Sequence, residues 1–241
     1  MVKYMKHNMK RLLIIALLLA GCSESGDPIV AARNTIVELR TISVDQFRLK
    51  VVEDGTVLTD SLTAPDGVIS IPVKYFENEH RYQVYNVFEN ILLIDTIVTY
   101  KPGLQNGVTF FQAVAEGKLQ WVGPPENEAL APEGYTKISI IYTYPAMPDE
   151  VEVVVQNSVD GGTSYATTDT FILQKGTFSP YFQIRNSTSR ARITMYINDG
   201  TRQKVAELGS IVNANADFSV FLFRSSSNSS APYNLDPDKL Y

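Results

Sequence analysis

Cysteine occurs once in this sequence, at position 22, tryptophan once, at 121, and histidine twice, at 7 and 80. A single cysteine excludes an intramolecular disulfide and any cysteine-based metal site. A histidine-based zinc site needs several nitrogen or sulfur ligands. Beyond the first residues only His80 is on offer, in the polar stretch "FENEHRYQ" (Phe76 excepted, a loop composition), where it reads as an exposed loop residue. A Ser-His-Asp arrangement would rest on that same residue. No glycine-rich phosphate loop leads into a helix, since "DGG" at Asp160 to Gly162 reads as a turn. The sequence therefore predicts no enzyme, no cofactor and no metal.

What is present begins with a short greasy run, Leu12 to Ala20, behind the basic flank Lys3, Lys6, Lys10 and Arg11. It is too short to span a bilayer, which takes about 20 apolar residues, and it has the layout of a secretory signal peptide over residues 1–21. Met1 or Met9 can start it. Leu19-Ala20-Gly21-Cys22 resembles the bacterial lipobox, which implies lipidation of Cys22 and a chain held on a membrane through acyl groups. Residues 22–32 would then be a polar, lipidated tether. Its acidic opening, Ser23 to Asp27, is similar to the export signals of Bacteroidetes surface lipoproteins, which implies the outer membrane or cell surface.

Charge fits that setting. The whole chain carries −5; without residues 1–21 it keeps 17 basic against 26 acidic residues, near −9. Such a balance excludes nucleic acid as a partner.

Strand patterns fill the rest. "QFRLKVV" (Gln46 to Val52) alternates Phe47, Leu49 and Val51 with Arg48 and Lys50, the period of a half-buried strand. "VISIPV", "RYQVYNVF", "ILLIDTIVTY" and "VTFFQAV" continue the series, with Asp54-Gly55, Asp66-Gly67 and Pro102-Gly103 as turns. A second series runs through "KISIIYTY", "EVEVVVQ", "DTFILQ", "YFQI", "ARITMYI" and "DFSVFLF". The two series align as copies: Asp45 falls over Asp149 with 47, 49 and 51 over 151, 153 and 155, and Arg81, Tyr85 and Phe110 fall over Arg192, Tyr196 and Phe221. The expected fold is all-β, two tandem β-sandwiches over 33–118 and 135–224. A Pro-rich linker occupies 119–134 and a flexible Ser-rich tail 225–241. "ISIIYTYPAMPDEVEVVV" (Ile138 to Val155), with Tyr144-Pro145 and Pro148-Asp149 in its loop, is similar to immunoglobulin-like domains of unknown function in Bacteroidetes envelope lipoproteins. That resemblance implies an immunoglobulin-like fold and an envelope location, and brings no functional residues.

The residues left as possible ligand contacts are aromatic: Trp121, Tyr142 and Tyr144. Trp121 stands where strand gives way to linker, and reads first as a plug between the domains, second as a stacking platform for a sugar ring. Tyr142 and Tyr144 share a strand face with Ile138 and Ile140, which turns them toward the core. The loop acids Glu77, Glu79, Asp149 and Glu150 read as solvated charge, and Asp236 with Asp238 is too small a set for calcium. The expected function is a non-catalytic, membrane-anchored binding or interaction module whose partner is an envelope protein or a glycan. The alternatives are a structural or adhesive surface subunit and a glycan hydrolase working with paired acids.

Overall fold

The structure is a computed structural model that describes residues 32–101, 106–125, 127–160, 163–185, 191–208, 217–225 and 229–241. The expected signal peptide, Cys22 and nearly all of the tether lie outside these residues. The described residues are all-β: sixteen strands and no helix. The first eight are β1 (Arg33–Ile42), β2 (Arg48–Glu53), β3 (Thr56–Thr63), β4 (Val68–Tyr75), β5 (Glu79–Asn86), β6 (Ile91–Thr99), β7 (Asn106–Phe111) and β8 (Gln120–Val122). The second eight are β9 (Tyr135–Tyr142), β10 (Glu150–Ser158), β11 (Tyr165–Gln174), β12 (Phe182–Arg185), β13 (Ala191–Ile197), β14 (Lys204–Leu208), β15 (Phe218–Ser225) and β16 (Tyr233–Lys239).

Alternation decides which faces close on each other. In β1, Val37 and Leu39 are buried while Ile36 is exposed; in β2, Leu49 and Val51 point the same way. Two four-stranded sheets result, ordered β4-β1-β7-β8 and β3-β2-β5-β6. Their inner faces enclose one core, built on Val37, Leu49, Tyr82, Val84, Val108 and Phe110. The turn at Asp54-Gly55 joins β2 to β3 with both residues at positive φ, 47° and 81°. That is the two-residue hairpin geometry that Asp-Gly favours.

The second half repeats this wiring strand for strand. β9 pairs antiparallel with β12 and parallel with β15, as β1 does with β4 and β7. β10 pairs with β11 and β13, as β2 does with β3 and β5. β13 meets β14 and β15 meets β16, matching β5 with β6 and β7 with β8. One pairing is new: β14 also bonds parallel to β16, so the two layers fuse into a single sheet ordered β11-β10-β13-β14-β16-β15-β9-β12. This sheet curls round its own core, Ile140, Tyr142, Val153, Met195 and Phe223 among it. It nearly closes, because the Asn157 amide on β10 donates to Gln183 O at 3.1 Å and its oxygen accepts from Arg185 N at 3.1 Å, both on β12.

The strand order departs from the immunoglobulin arrangement. There the first two strands share a sheet, whereas β1 and β2 lie in different sheets. The chain also carries strands where coil was expected. Gln120–Val122, assigned to the linker, pairs with β7. Tyr233–Lys239, assigned to a flexible tail, is β16, held by the buried Leu235 and by both neighbours. Its Pro237 is tolerated because β14 reaches only Tyr233 and Asn234, so the missing N–H falls where one side of the strand is unpaired.

The halves meet over a third apolar cluster. Ile42, Phe111 and Val122, at one end of the first sandwich, pack on Ile141, Val220 and Leu222 from the outer face of β9 and β15. Thr109 Oγ1 donates to Leu240 O at 2.7 Å across the same boundary.

Candidate functional site

Beside this boundary lies a groove of about 310 Å³. Its position follows from a difference in strand pairing between the halves. β14 and β16 are hydrogen-bonded, Ala206 opposite Tyr233 and Glu207 opposite Asn234. Their counterparts β6 and β8 end separate sheets, and the groove opens at that seam, between Val98 and Thr99 of β6 and Trp121 of β8. Phe218, Leu240 and Tyr241 from the second half form the opposite wall.

Trp121 faces Phe110 across the β7–β8 ladder and packs, half-buried, on the first core. It also lines a second groove, of about 280 Å³, with Ser139, Phe178 and Tyr181. The indole lies over the backbone of Gly123, where a Cβ would fall 2.0 Å from Cζ2. So the tryptophan is partly wedged between the halves and partly open to two grooves. The larger groove adds Glu38, Lys101 and Lys239 to its aromatic walls. An apolar ring face beside charged and amide groups is the surface that takes up an amphipathic ligand such as a sugar ring.

The other two aromatic residues are not part of this groove. Tyr142 is fully buried and its hydroxyl donates to Pro148 O at 2.9 Å. Burial also pushes that hydroxyl above the usual phenol range. Its ring is core, because β9 turns it inward with Ile138 and Ile140, and it offers no face to a ligand. Tyr144 is half-buried and meets Tyr233 edge-on at 5.3 Å. The paired acids likewise have local partners: Asp149 holds Lys175 at 2.9 Å, and Asn198 donates to Glu150. Asp238, weighed with Asp236 as a cation ligand, is instead paired with Arg40 at 2.9 Å.

A second cluster was missed in the sequence. His80 is buried, not an exposed loop residue. In β5 the inward positions are His80, Tyr82 and Val84, so the alternation of this strand already includes the histidine if it is counted from residue 80. Its Nδ1 lies 2.7 Å from Asp54 Oδ2 and 3.4 Å from the buried Glu53, and its Nε2 lies 2.9 Å from Glu77 O. The ring stacks on Tyr100 at 4.3 Å. Tyr100 and Tyr82 hydroxyls both hydrogen-bond to Glu53, and burial raises both phenols far above their ordinary range. The ligand-capable atoms of Glu53, Asp54 and His80 all lie within 4.8 Å of one another.

Comparison with protein-family models finds none that matches this chain, and comparison with curated proteins finds no match either.

Proposed function

We propose that this protein is a non-catalytic lipoprotein of the bacterial cell envelope, built from two copies of one β-sandwich module, that binds a ligand in the groove between them. The duplication is supported by the repeated strand pairing. The anchor rests on the lipobox-like Leu19 to Cys22 and the signal-peptide layout before it. Outer-membrane or surface placement rests on the acidic residues that follow. The observation that carries the binding role is the groove itself, opened at the seam that the second half closes, with Trp121 in its wall. Its aromatic and charged lining suits a glycan or the side chains of an envelope protein.

The sole tryptophan reports on the groove. Titrating the chain with soluble neutral and acidic oligosaccharides, and separately with detergent-solubilised envelope proteins, should quench or shift Trp121 emission saturably for one of the two. Emission that neither set moves counts against the groove. Lipidation is tested by Cys22→Ser, which should move the chain from the detergent phase to the aqueous phase.

An adhesive subunit is the second reading, favoured by β6. This nine-residue strand is an edge of its sheet and exposes Ile91, Leu92 and Ile97 by about half. Exposed apolar edges pair with other strands. Ile97→Lys would abolish concentration-dependent assembly seen by sedimentation if that reading holds.

A further inference from the structure

Glu53, Asp54 and His80 bring two carboxylates and one imidazole together, their ligand-capable atoms all within 4.8 Å of one another. Two carboxylates converge on one ring nitrogen, His80 Nδ1, at 2.7 Å from Asp54 and 3.4 Å from Glu53. One nitrogen holds a single proton or a single lone pair, so it cannot serve both carboxylates as donor. Arg81 gives Asp54 only its backbone N–H, at 2.9 Å, while its guanidinium is closed on Asp95. The other ring nitrogen, Nε2, faces an acceptor, Glu77 O at 2.9 Å, and so carries the proton. That leaves Nδ1 as the ring atom able to ligate a cation.

We propose that His80 Nδ1, Asp54 Oδ2 and the Glu53 carboxylate form a three-ligand site for a divalent cation of the zinc class. Ligand atoms about 2.1 Å from a tetrahedral cation stand about 3.4 Å apart, which is the His80–Glu53 spacing. Asp54 must retreat by less than about 1 Å to match, and its place in the exposed hairpin turn permits that. The three side chains are already oriented by neighbours, Glu53 on the same oxygen, Oε1, that faces His80. Glu77 O fixes the imidazole, the Tyr82 and Tyr100 hydroxyls hold Glu53, and Arg81 N holds the other oxygen of Asp54. Metal ligands depend on such outer partners for orientation. Asp54, half exposed, puts the remaining coordination positions toward solvent. One imidazole with two carboxylates suits zinc or manganese rather than calcium, which prefers six or more oxygens.

The test uses the full chain, purified in detergent and stripped with EDTA, then titrated calorimetrically with zinc, manganese and calcium chlorides. The expected result is one tightly bound zinc per chain, no calcium heat, and an unfolding midpoint that climbs with zinc concentration. Asp54→Asn keeps the hairpin, since asparagine tolerates the left-handed backbone found at φ 47°. It should weaken zinc at least about tenfold, and His80→Gln should remove the response. A wild-type chain without saturable zinc or manganese binding overturns the proposal. So does an Asp54→Asn chain that binds zinc as tightly as wild type. Either result would leave His80 as a buried core residue hydrogen-bonded between Asp54 and Glu77 O.

Discussion

Arg40 on β1 and Asp238 on β16, 198 residues apart in the chain, close on each other with Arg40 Nη2 3.0 and 2.9 Å from the two carboxylate oxygens. Nη1 of the same side chain donates to Lys239 O at 3.1 Å. Both side chains are less than a third exposed. Asp238→Asn should therefore cost about 1 kcal/mol, the upper end of the range for exposed pairs. The urea midpoint would show it, and the loss should shrink in high salt as screening weakens the wild-type pair.

Cutting the chain between Gly123 and Pro132 should give two folded pieces that stay together. Each half has its own core, and Ile42, Phe111 and Val122 remain packed on Ile141, Val220 and Leu222 after the nick. The pieces should co-elute in native gel filtration and separate in urea. Fragments that drift apart in buffer would show that the apolar boundary is too weak to hold.

Gly123→Ala should disturb Trp121 more than it disturbs the fold. The new methyl would meet Cζ2 and Cη2 of the indole, which lines two open grooves it can move into. The expected sign is a red shift of Trp121 emission with a modest fall in stability. Trp121→Ala should cost less than the about 3–5 kcal/mol of a fully buried aromatic, because the residue is only half-buried.

Stability should fall in alkali. Burial is the main cause that raises the hydroxyls of Tyr82, Tyr100 and Tyr142, and it pushes Tyr181 up to about 12. An unfolded tyrosine ionises near about pH 10, so above that pH the unfolded chain releases protons that the folded chain keeps. The folded state then loses ground as pH rises, whereas below about pH 10 this contribution is complete. Urea midpoints at successive pH values check the direction. Tyrosinate absorbance for these four residues should appear together with unfolding.

Much of this architecture was legible because β-strands advertise themselves by alternation. Leu49 and Val51 are buried as their pattern says, and so are Ile138, Ile140 and Tyr142. β1 escaped notice because Arg33, Glu38 and Arg40 interrupt a run whose inward residues are Thr35, Val37 and Leu39. β16 escaped because "YNLDPDK" has one fully buried apolar residue, Leu235, and owes its form to partners far away in the chain. The repeat was seen, but its register was not fixed. Val51 opposes Val84, and Met195, the residue 111 after Val84, opposes Val153 rather than Val155. A slip of two residues leaves every side chain on the same face, so a pattern of faces cannot detect it. The groove and the His80 cluster were out of reach for a related reason. Each is assembled from residues that only strand pairing brings together, Trp121 with Tyr241 and His80 with Glu53 and Asp54.

β16 comes after the other fifteen strands of the described residues, which sets an order on their assembly. A ribosome finishes β1 to β15 before it makes the strand that fuses the two layers of the second half. Until residues 233–241 are made, Arg40 has no Asp238, Thr109 has no Leu240 carbonyl, and the far wall of the groove lacks Leu240 and Tyr241. The first sandwich can collapse on its own core during synthesis, but the groove cannot form until then. The groove is therefore completed only once residues 233–241 are in place, so a product truncated before Tyr233 would lack its far wall even where the first half had folded.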